Sequence, residues 1–293
     1  MKSLELENHL LRLSCYPELG GKIASLVYKP LQKELLWQSQ QALSIPNYGA
    51  AFSEYDKSGI DECFPAIDKE TFHWNGQQWH IPDHGELWCQ PWSMQVQDNS
   101  LFGSVMGRVW KYRFERTIRL NNSKIRFDYH IQNFESFSIP GFWTFHPLFA
   151  AQPGDTWEWP FSHSVELAQQ DPGLGASGSI HPFPMAENGE LLNIFRPFSS
   201  QTTRKYYHQG RVPQGFASLH LNPLNLHFHW DSAQIPYLGM WINEGGYEGG
   251  YNLALEPSQA YYDSLSKALS NQSIQPILPQ QSRRFWLEID FVV

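Results

Sequence analysis

The chain has 293 residues, a formal net charge of −8 at pH 7, and 15% aromatic and 17% charged residues. This length suits one large all-β domain, and we expect residues 1–293 to form a single unit that needs no disulfides to fold. The acidic balance, without long Lys/Arg runs, argues against nucleic acid or an anionic membrane as a partner. We find neither a signal-peptide core nor an apolar run near the ~20 residues of a membrane helix, and therefore expect a cytoplasmic protein.

Apolar and polar residues alternate with a period of two wherever a pattern can be recognised, and this is typical of half-buried strands. In chain order, the alternation predicts strands near residues 4–6, 11–15, 110–120, 125–131, 224–230 and 285–291. Residues 169–190 are rich in Gly, Pro and Ser and predict a long loop. Only residues 263–269 suggest a short helical turn, which Asp263 could cap. The predicted fold class is all-β, with antiparallel sheets forming a sandwich or barrel.

The cysteines and paired histidines do not indicate a metal site. Cys15, Cys63 and Cys89 are odd in number and lack CxxC spacing, so neither a disulfide framework nor a zinc site is indicated. His227 and His229 share the polar face of a predicted strand, but no third ligand is evident. A phosphate-binding glycine loop and a GxSxG elbow are also missing. We therefore predict no metal and no organic cofactor.

The first candidate site is the segment Asp83-His84-Gly85-Glu86, which follows Pro82 and precedes Leu87-Trp88. A histidine next to glycine and flanked by carboxylates is typical of a loop, where functional side chains are often displayed. The alternative is a solvated surface histidine. His84, Glu86 and Trp88 are the candidate residues of this segment.

The second candidate is His146, which lies in the almost wholly apolar run 141–149. Such a run predicts a strand covered on both faces, so the imidazole would be buried. Burial lowers the pKa of a histidine and a nearby carboxylate raises it, so His146 could titrate near neutrality. A core histidine with satisfied hydrogen bonds is the alternative.

The third candidate is Glu256, which ends an apolar segment and precedes Pro257. The proline favours an extended Glu256, and a carboxylate in apolar surroundings has a raised pKa that suits a general base. An ordinary glutamate at a strand end is the alternative. Asp61 and Glu62 could add acceptors for ligand hydroxyl groups, unless they belong to a solvated loop.

The order and spacing of four segments resemble the aldose 1-epimerase, or galactose mutarotase-like, superfamily. The segments are Leu19-Gly20-Gly21-Lys22-Ile23-Ala24-Ser25-Leu26, Asp83-His84-Gly85-Glu86, Phe145-His146-Pro147 and Leu255-Glu256-Pro257-Ser258. The resemblance spans roughly residues 18–265. It implies a β-supersandwich of large antiparallel sheets with a cleft open to solvent, which binds a small-molecule sugar.

The resemblance also implies roles for the candidate residues. His146 would protonate the ring oxygen, Glu256 would remove the proton from the anomeric hydroxyl, and His84 would hydrogen-bond near the ring oxygen. The ring would open, the aldehyde would turn, and closure on its other face would give the other anomer without a cofactor. The candidates for sugar binding are Asp61, Glu62, Glu86, Trp88, Trp143 and Trp241, with core packing as the alternative for Trp143.

The chain departs from the superfamily pattern in ways that bear on the substrate. Many members of the superfamily have one Arg upstream of the first His-Gly element and another after it, and both contact sugar hydroxyls. Here residues 47–61 contain no Arg, and Glu86 and Trp88 follow His84-Gly85. Phe145 stands where an Asn usually precedes the second histidine. The identity of the sugar and its phosphorylation therefore stay open. A non-catalytic carbohydrate-binding or sensor protein is one alternative function. A lyase or glycosidase that uses Asp61 or Glu62 is another.

Overall fold

The structure is a computed structural model that describes residues 1–293. It contains twenty-one strands, one α-helix and four short 3₁₀ helices. The strands are β1 (Leu4–Glu7), β2 (Leu11–Tyr16), β3 (Lys22–Tyr28), β4 (Lys33–Glu34), β5 (Gly59–Cys63), β6 (Glu70–Trp74), β7 (Gln77–Ile81), β8 (Ser93–Gln97), β9 (Ser100–Met106), β10 (Tyr112–Asn121), β11 (Lys124–Asn133), β12 (Thr144–Ala150), β13 (Thr156–Glu158), β14 (Ser164–Leu167), β15 (Ile180–Pro182), β16 (Thr202–His208), β17 (Phe216–Leu221), β18 (Leu224–Trp230), β19 (Tyr237–Glu244), β20 (Tyr251–Ser258) and β21 (Ser282–Val292). The α-helix is α1 (Leu265–Ser270), and the 3₁₀ helices are Pro17–Leu19, Lys29–Leu31, Phe52–Glu54 and Phe198–Ser200.

The strands form two large sheets and one small hairpin. The larger sheet has eleven strands in the order β1-β2-β3-β5-β12-β20-β19-β16-β14-β15, with β4 beside β3. The second sheet has eight strands in the order β13-β17-β18-β21-β11-β10-β9-β8, and β6 pairs with β7. All strand pairs are antiparallel. The predicted fold class, all-β with large antiparallel sheets, is confirmed.

One continuous core of 63 buried apolar residues joins the elements. Successive residues of a strand point to opposite faces, so only alternate residues of the larger sheet enter this core. On β12, Phe145 and Phe149 belong to the core, and His146 therefore points to the other face. That other face is also covered, because β12 is buried through six of its seven residues. The prediction of a strand covered on both faces is confirmed.

Three local predictions needed correction. The strand predicted at residues 110–120 begins at Tyr112, and Trp110 precedes it as a buried core residue. The predicted loop 169–190 includes the short strand β15. The helix begins after Ser264, whose hydroxyl accepts a hydrogen bond from the amide of Lys267. Asp263 does not cap the helix, because its carboxylate binds Lys205 instead.

No helix of the protein has both the length and the apolar character that crossing a membrane requires.

Candidate active site

Three neighbouring strands of the larger sheet align the central side chains of the site. His146 on β12 lies opposite Asp61 on β5. On its other side β12 pairs with β20, where Thr144 lies opposite Ser258. Two residues further along, the same register places His146 opposite Glu256. Residues directly opposite each other in an antiparallel pair point to the same face, so His146 and Glu256 project together away from the core.

A cavity of about 410 Å³ lies over this face, and His84, His146 and Glu256 all line it. This volume is within the range of small-molecule sites. His84 comes from a loop, His146 from β12 and Glu256 from β20, so segments far apart in sequence meet in one cavity. Trp241 on β19 also lines the cavity. Its contact with a sugar stays a prediction.

Phe52 holds the two imidazoles in a fixed relation. Its ring stacks on His84 with centroids 4.1 Å apart and meets His146 edge-on at 5.7 Å. The centroids of the two imidazoles are 5.1 Å apart, with their planes nearly perpendicular. Both histidines are therefore fixed by packing at the same wall of the cavity.

Asp83 orients His84. The Nδ1 atom of His84 lies 2.8 Å from Asp83 Oδ1, and the amide of Phe52 donates to Asp83 Oδ2 at 2.8 Å. Burial opposes ionisation of Asp83, but the bond with His84 and the Phe52 amide outweigh it, and the pKa of Asp83 is lowered. An ionised Asp83 is a strong hydrogen-bond acceptor and holds the ring of His84 in place. His84 and Gly85 both adopt positive φ, and a Cβ at Gly85 would lie only 2.2 Å from the carbonyl oxygen of Phe64.

His146 has no such partner. Its Nδ1 atom is buried without a hydrogen bond, and burial lowers its pKa well below the ordinary value, with His84, Lys205 and Lys22 acting in the same direction. The prediction that a carboxylate would bring His146 to titrate near neutrality is therefore wrong. In the free protein at neutral pH, His146 is an uncharged imidazole.

Glu256 is buried and its pKa is raised, as predicted for a carboxylate in apolar surroundings. Burial is the main cause, and the ammonium of Lys205 opposes it. Lys205 Nζ lies 2.9 Å from Glu256 Oε2 and 2.7 Å from Asp263 Oδ2. The base candidate therefore belongs to a buried group of one ammonium and two carboxylates.

Glu62 and Trp143 do not reach the cavity, and their prediction as sugar-binding residues is not supported. Strand alternation turns Glu62 into the core, where it accepts hydrogen bonds from Arg116 at 2.8 Å, Tyr129 at 3.0 Å and the indole of Trp143 at 2.6 Å. Glu62 and Trp143 are both fully buried. A buried carboxylate is stable only when it is hydrogen-bonded. Because Arg116 and Tyr129 belong to the second sheet, their bonds to Glu62 link the two sheets.

Asp61 points to the same face as His146 but stays beneath the cavity. It is buried, and its Oδ2 atom lies 2.8 Å from Lys22 Nζ. Lys22 also donates to the carbonyl oxygens of Asp56 and Ser58. Asp61 is therefore committed to a buried ion pair and does not line the cavity.

Glu86 and Trp88 support the loop that carries His84 and do not face the cavity. Glu86 is fully buried and accepts from the hydroxyls of Tyr48 at 2.6 Å and Tyr112 at 2.7 Å. The indole of Trp88 donates to the carbonyl oxygen of Asp83 at 2.8 Å, and its ring packs edge-on against Phe52. Both side chains act through the loop, so their direct contact with a sugar is not supported.

The sequence reasoning missed several lining residues, of which Lys205 and Asp263 are the most important for the chemistry. Lys205 stands in a strand with no distinctive motif, and Asp263 resembles a helix cap. In the sequence, Asp83 stands out only as a carboxylate next to His84. A contact between Lys205 and Glu256 leaves no signal in a single sequence, because β17, β18 and β19 lie between the two residues along the chain.

The paired histidines on β18 lie outside this site. Nδ1 of His227 is 2.9 Å from the hydroxyl of Ser218 on the neighbouring strand of the smaller sheet. No group of three or more His, Cys, Asp and Glu side chains is arranged to hold a metal ion.

The structure defines an all-β sandwich with a cavity of about 410 Å³ on one face of its larger sheet. No protein-family model and no curated protein matches this sequence. Solved structures do match. The Slr1438 protein from Synechocystis sp. PCC 6803 has a TM-score of 0.76 and 20% identity, covering 99% of this chain and 95% of its own.

Two further matches indicate which fold this is. A galactose mutarotase-like protein from Lactobacillus casei has a TM-score of 0.74 and 16% identity over 99% of this chain and 100% of its own. A candidate aldose 1-epimerase from Escherichia coli K12 has a TM-score of 0.73 and 14% identity over 99% of both chains. The chain therefore has the galactose mutarotase-like fold, and the resemblance noted in the sequence is confirmed at the level of the fold.

Proposed function

We propose that the protein is an aldose 1-epimerase-like enzyme that interconverts the α and β anomers of an uncharged aldose. The observation that carries this proposal is the pair His146 and Glu256, which face one cavity from opposite positions on adjacent strands. The fold, shared with proteins described as galactose mutarotase-like and as candidate aldose 1-epimerases, supports it. The cytoplasmic location of the protein stays a prediction.

The reaction requires one proton to be removed and one to be delivered. Glu256 takes the proton from the anomeric hydroxyl, and protonated His146 gives a proton to the ring oxygen as the bond from the anomeric carbon to that oxygen breaks. The open aldehyde rotates about the neighbouring carbon–carbon bond. Ring closure on the other face then reverses both transfers, so no proton or electron is gained or lost overall. Each positioned acid or base typically contributes ~10²–10⁴-fold.

The alternatives differ in what they require of the cavity. A non-catalytic sugar-binding protein does not need an imidazole and a carboxylate in opposite positions, so that arrangement favours the enzyme. A glycosidase needs two carboxyl groups that flank the scissile bond. Glu62, the residue considered for that role, lies in the core, and Asp61 lies beneath the cavity in an ion pair with Lys22.

Saturation-transfer NMR on a panel of equilibrated free aldoses tests the proposal, with polarimetry on freshly dissolved sugars as a second measurement. We expect exchange between anomers of at least one aldose to exceed the spontaneous rate measured in the same buffer. Binding of a sugar without faster exchange would assign the protein to the non-catalytic alternative.

The pH dependence follows from the two pKa directions. Glu256 must be ionised and its pKa lies above 4.5, while His146 must be protonated and its pKa lies below 6.5. The ionised fraction of Glu256 grows as pH rises, the protonated fraction of His146 falls, and their product peaks midway between the two pKa values. We therefore expect kcat/KM, corrected for the spontaneous reaction, to follow a bell-shaped pH profile whose two limbs report the raised pKa of Glu256 and the lowered pKa of His146. A profile that rises or falls with pH without passing through a maximum would contradict these roles.

The charges of the cavity favour a substrate without phosphate. The lining contains no Arg, and its ionisable acids and amines are Asp68, Asp83, Glu248, Glu256 and Asp263 against Lys57 and Lys205. Both amines already have partners, since Lys57 lies 2.9 Å from Glu248 and Lys205 contacts two carboxylates. No free cation is therefore left for a phosphate group.

We expect kcat/KM for an aldose 6-phosphate to be at least about tenfold below that for the free sugar, because like charges in contact cost several kcal/mol. The 6-O-methyl sugar is the matched control, since it adds bulk at the same position without charge. Equal or faster anomerisation of the phosphate would overturn this assignment.

A further inference from the structure

The contact between Lys205 and Glu256 crosses an intervening strand. Lys205 lies on β16 and Glu256 on β20, and β19 runs between them. On β19, Gly239 lies opposite both Tyr207 and Glu256. A Cβ at Gly239 would approach Glu256 Oε2 to 3.2 Å. The missing side chain therefore leaves room for Glu256 to receive the ammonium of Lys205 across β19.

Lys205 is shared between two acceptors. Its Nζ atom lies 2.9 Å from Glu256 and 2.7 Å from Asp263, and the side chain is largely buried. Burial alone would lower the pKa of Lys205, but the two carboxylates outweigh it and raise that pKa. Lys205 is therefore a permanent cation in the working range of pH.

Other ionisable groups surround Glu256. They are His146 on β12, Cys63 on β5, Lys205 and Tyr207 on β16, His84 on its loop and Asp263 after β20. Among them Lys205 is the cation within hydrogen-bonding distance of Glu256, and Asp263 is the carboxylate bound to the same ammonium.

This arrangement fits a base that must take up a proton and return it in every turnover. While Glu256 is ionised, Lys205 stabilises its charge. When Glu256 becomes protonated, a lysine paired with it alone would be left as an unpaired buried cation, which is costly. Asp263 keeps the ammonium paired at that stage. Protonation of Glu256 therefore does not leave an isolated charge in the protein.

We propose that Lys205 and Asp263 are positioning residues that set the protonation state of Glu256, with Lys205 holding it ionised and Asp263 holding Lys205 when Glu256 carries the proton. The inference rests on the proposed function for its catalytic meaning. The two residues act on Glu256 in opposite directions, so their variants should change its behaviour with opposite signs.

The first experiment is the pH profile of kcat/KM for Lys205→Met and Asp263→Asn. Loss of a neighbouring opposite charge moves the pKa of a carboxyl by roughly 1–3 pH units. The optimum lies midway between the pKa values of acid and base, so Lys205→Met should move it upward by roughly half of that amount. Asp263→Asn frees Lys205 for Glu256 and should move the optimum downward. Lys205→Arg retains the charge and should keep the optimum close to that of the wild type.

The second experiment needs no substrate. A ¹³C NMR titration of protein labelled at the glutamate Cδ, with Glu256→Gln to assign the signal, follows the protonation of Glu256 directly. Titration midpoints that rise in Lys205→Met and fall in Asp263→Asn support the inference, even if no sugar is turned over and the proposed function fails. Midpoints that do not move, or that move in the same direction in both variants, overturn it. A raised KM in Lys205→Met with an unmoved optimum also overturns it, because Lys205 would then act as a direct sugar contact.

Discussion

Replacing Glu256 with Gln is expected to lower kcat/KM for anomerisation by about 10²–10⁴-fold. The amide has nearly the same shape and can still accept a hydrogen bond from Lys205, but it cannot take the proton from the anomeric hydroxyl. Lys205 keeps Asp263 as a counter-charge, so the variant should fold. The measurement is saturation-transfer NMR between the two anomers, with the rate in buffer alone subtracted.

Glu166→Gln is the matched control for this variant. Glu166 lies on β14, is also buried, and accepts hydrogen bonds from the hydroxyls of Tyr261 and Tyr262, but it does not line the cavity. We expect it to retain activity within a few-fold of the wild type, and circular dichroism should show both variants folded. A folded Glu256→Gln protein with unchanged kcat/KM would remove Glu256 from the mechanism.

Replacing His146 with Ala is expected to lower kcat/KM by about the same factor, 10²–10⁴. The substitution removes the proton donor to the ring oxygen, and no other side chain lies at that position on β12. His84 lies with its ring centroid 5.1 Å away and stays in place through its bond to Asp83. Comparing His84→Ala with His146→Ala therefore separates the donor from the residue that assists it, and the larger loss should come from His146.

His208→Ala controls for the loss of a buried imidazole. His208 on β16 is buried to the same 8% exposure as His146, and burial also lowers its pKa. Its ring pairs with the hydroxyl of Ser162 and does not line the cavity. If both variants lose the same activity, the effect of His146→Ala comes from packing and not from proton transfer.

The strands were predictable because their pattern is local. In β11, every second side chain from Ile125 to Ile131 enters the core, and the residues between them face water. The same alternation predicted β18 with the bounds that the structure shows, and it located β21 with errors of a few residues. A period of two is imposed by the backbone of a strand, so it can be read without knowledge of the partner strand.

The same alternation explains one of two errors at the site. Asp61 and Glu62 are adjacent, and both could be proposed as ligand acceptors from sequence. Adjacent residues of a strand must point to opposite faces, so at most one of them could reach the cavity. The structure places Glu62 in the core with Arg116 and leaves Asp61 on the cavity side, held by Lys22.

The sequence by itself determined the all-β class, the burial of His146 and the apolar setting of Glu256, because these follow from the residues next to them in the chain. Only the tertiary structure decided that His146 lies opposite Glu256, that the pKa of His146 is lowered well below its ordinary value, and that Lys205 reaches Glu256 past Gly239. Strand order and register create these contacts between distant segments. The ionisation of the site depends on charged groups that lie a few ångströms apart in space. Their positions along the chain do not reveal that they are close.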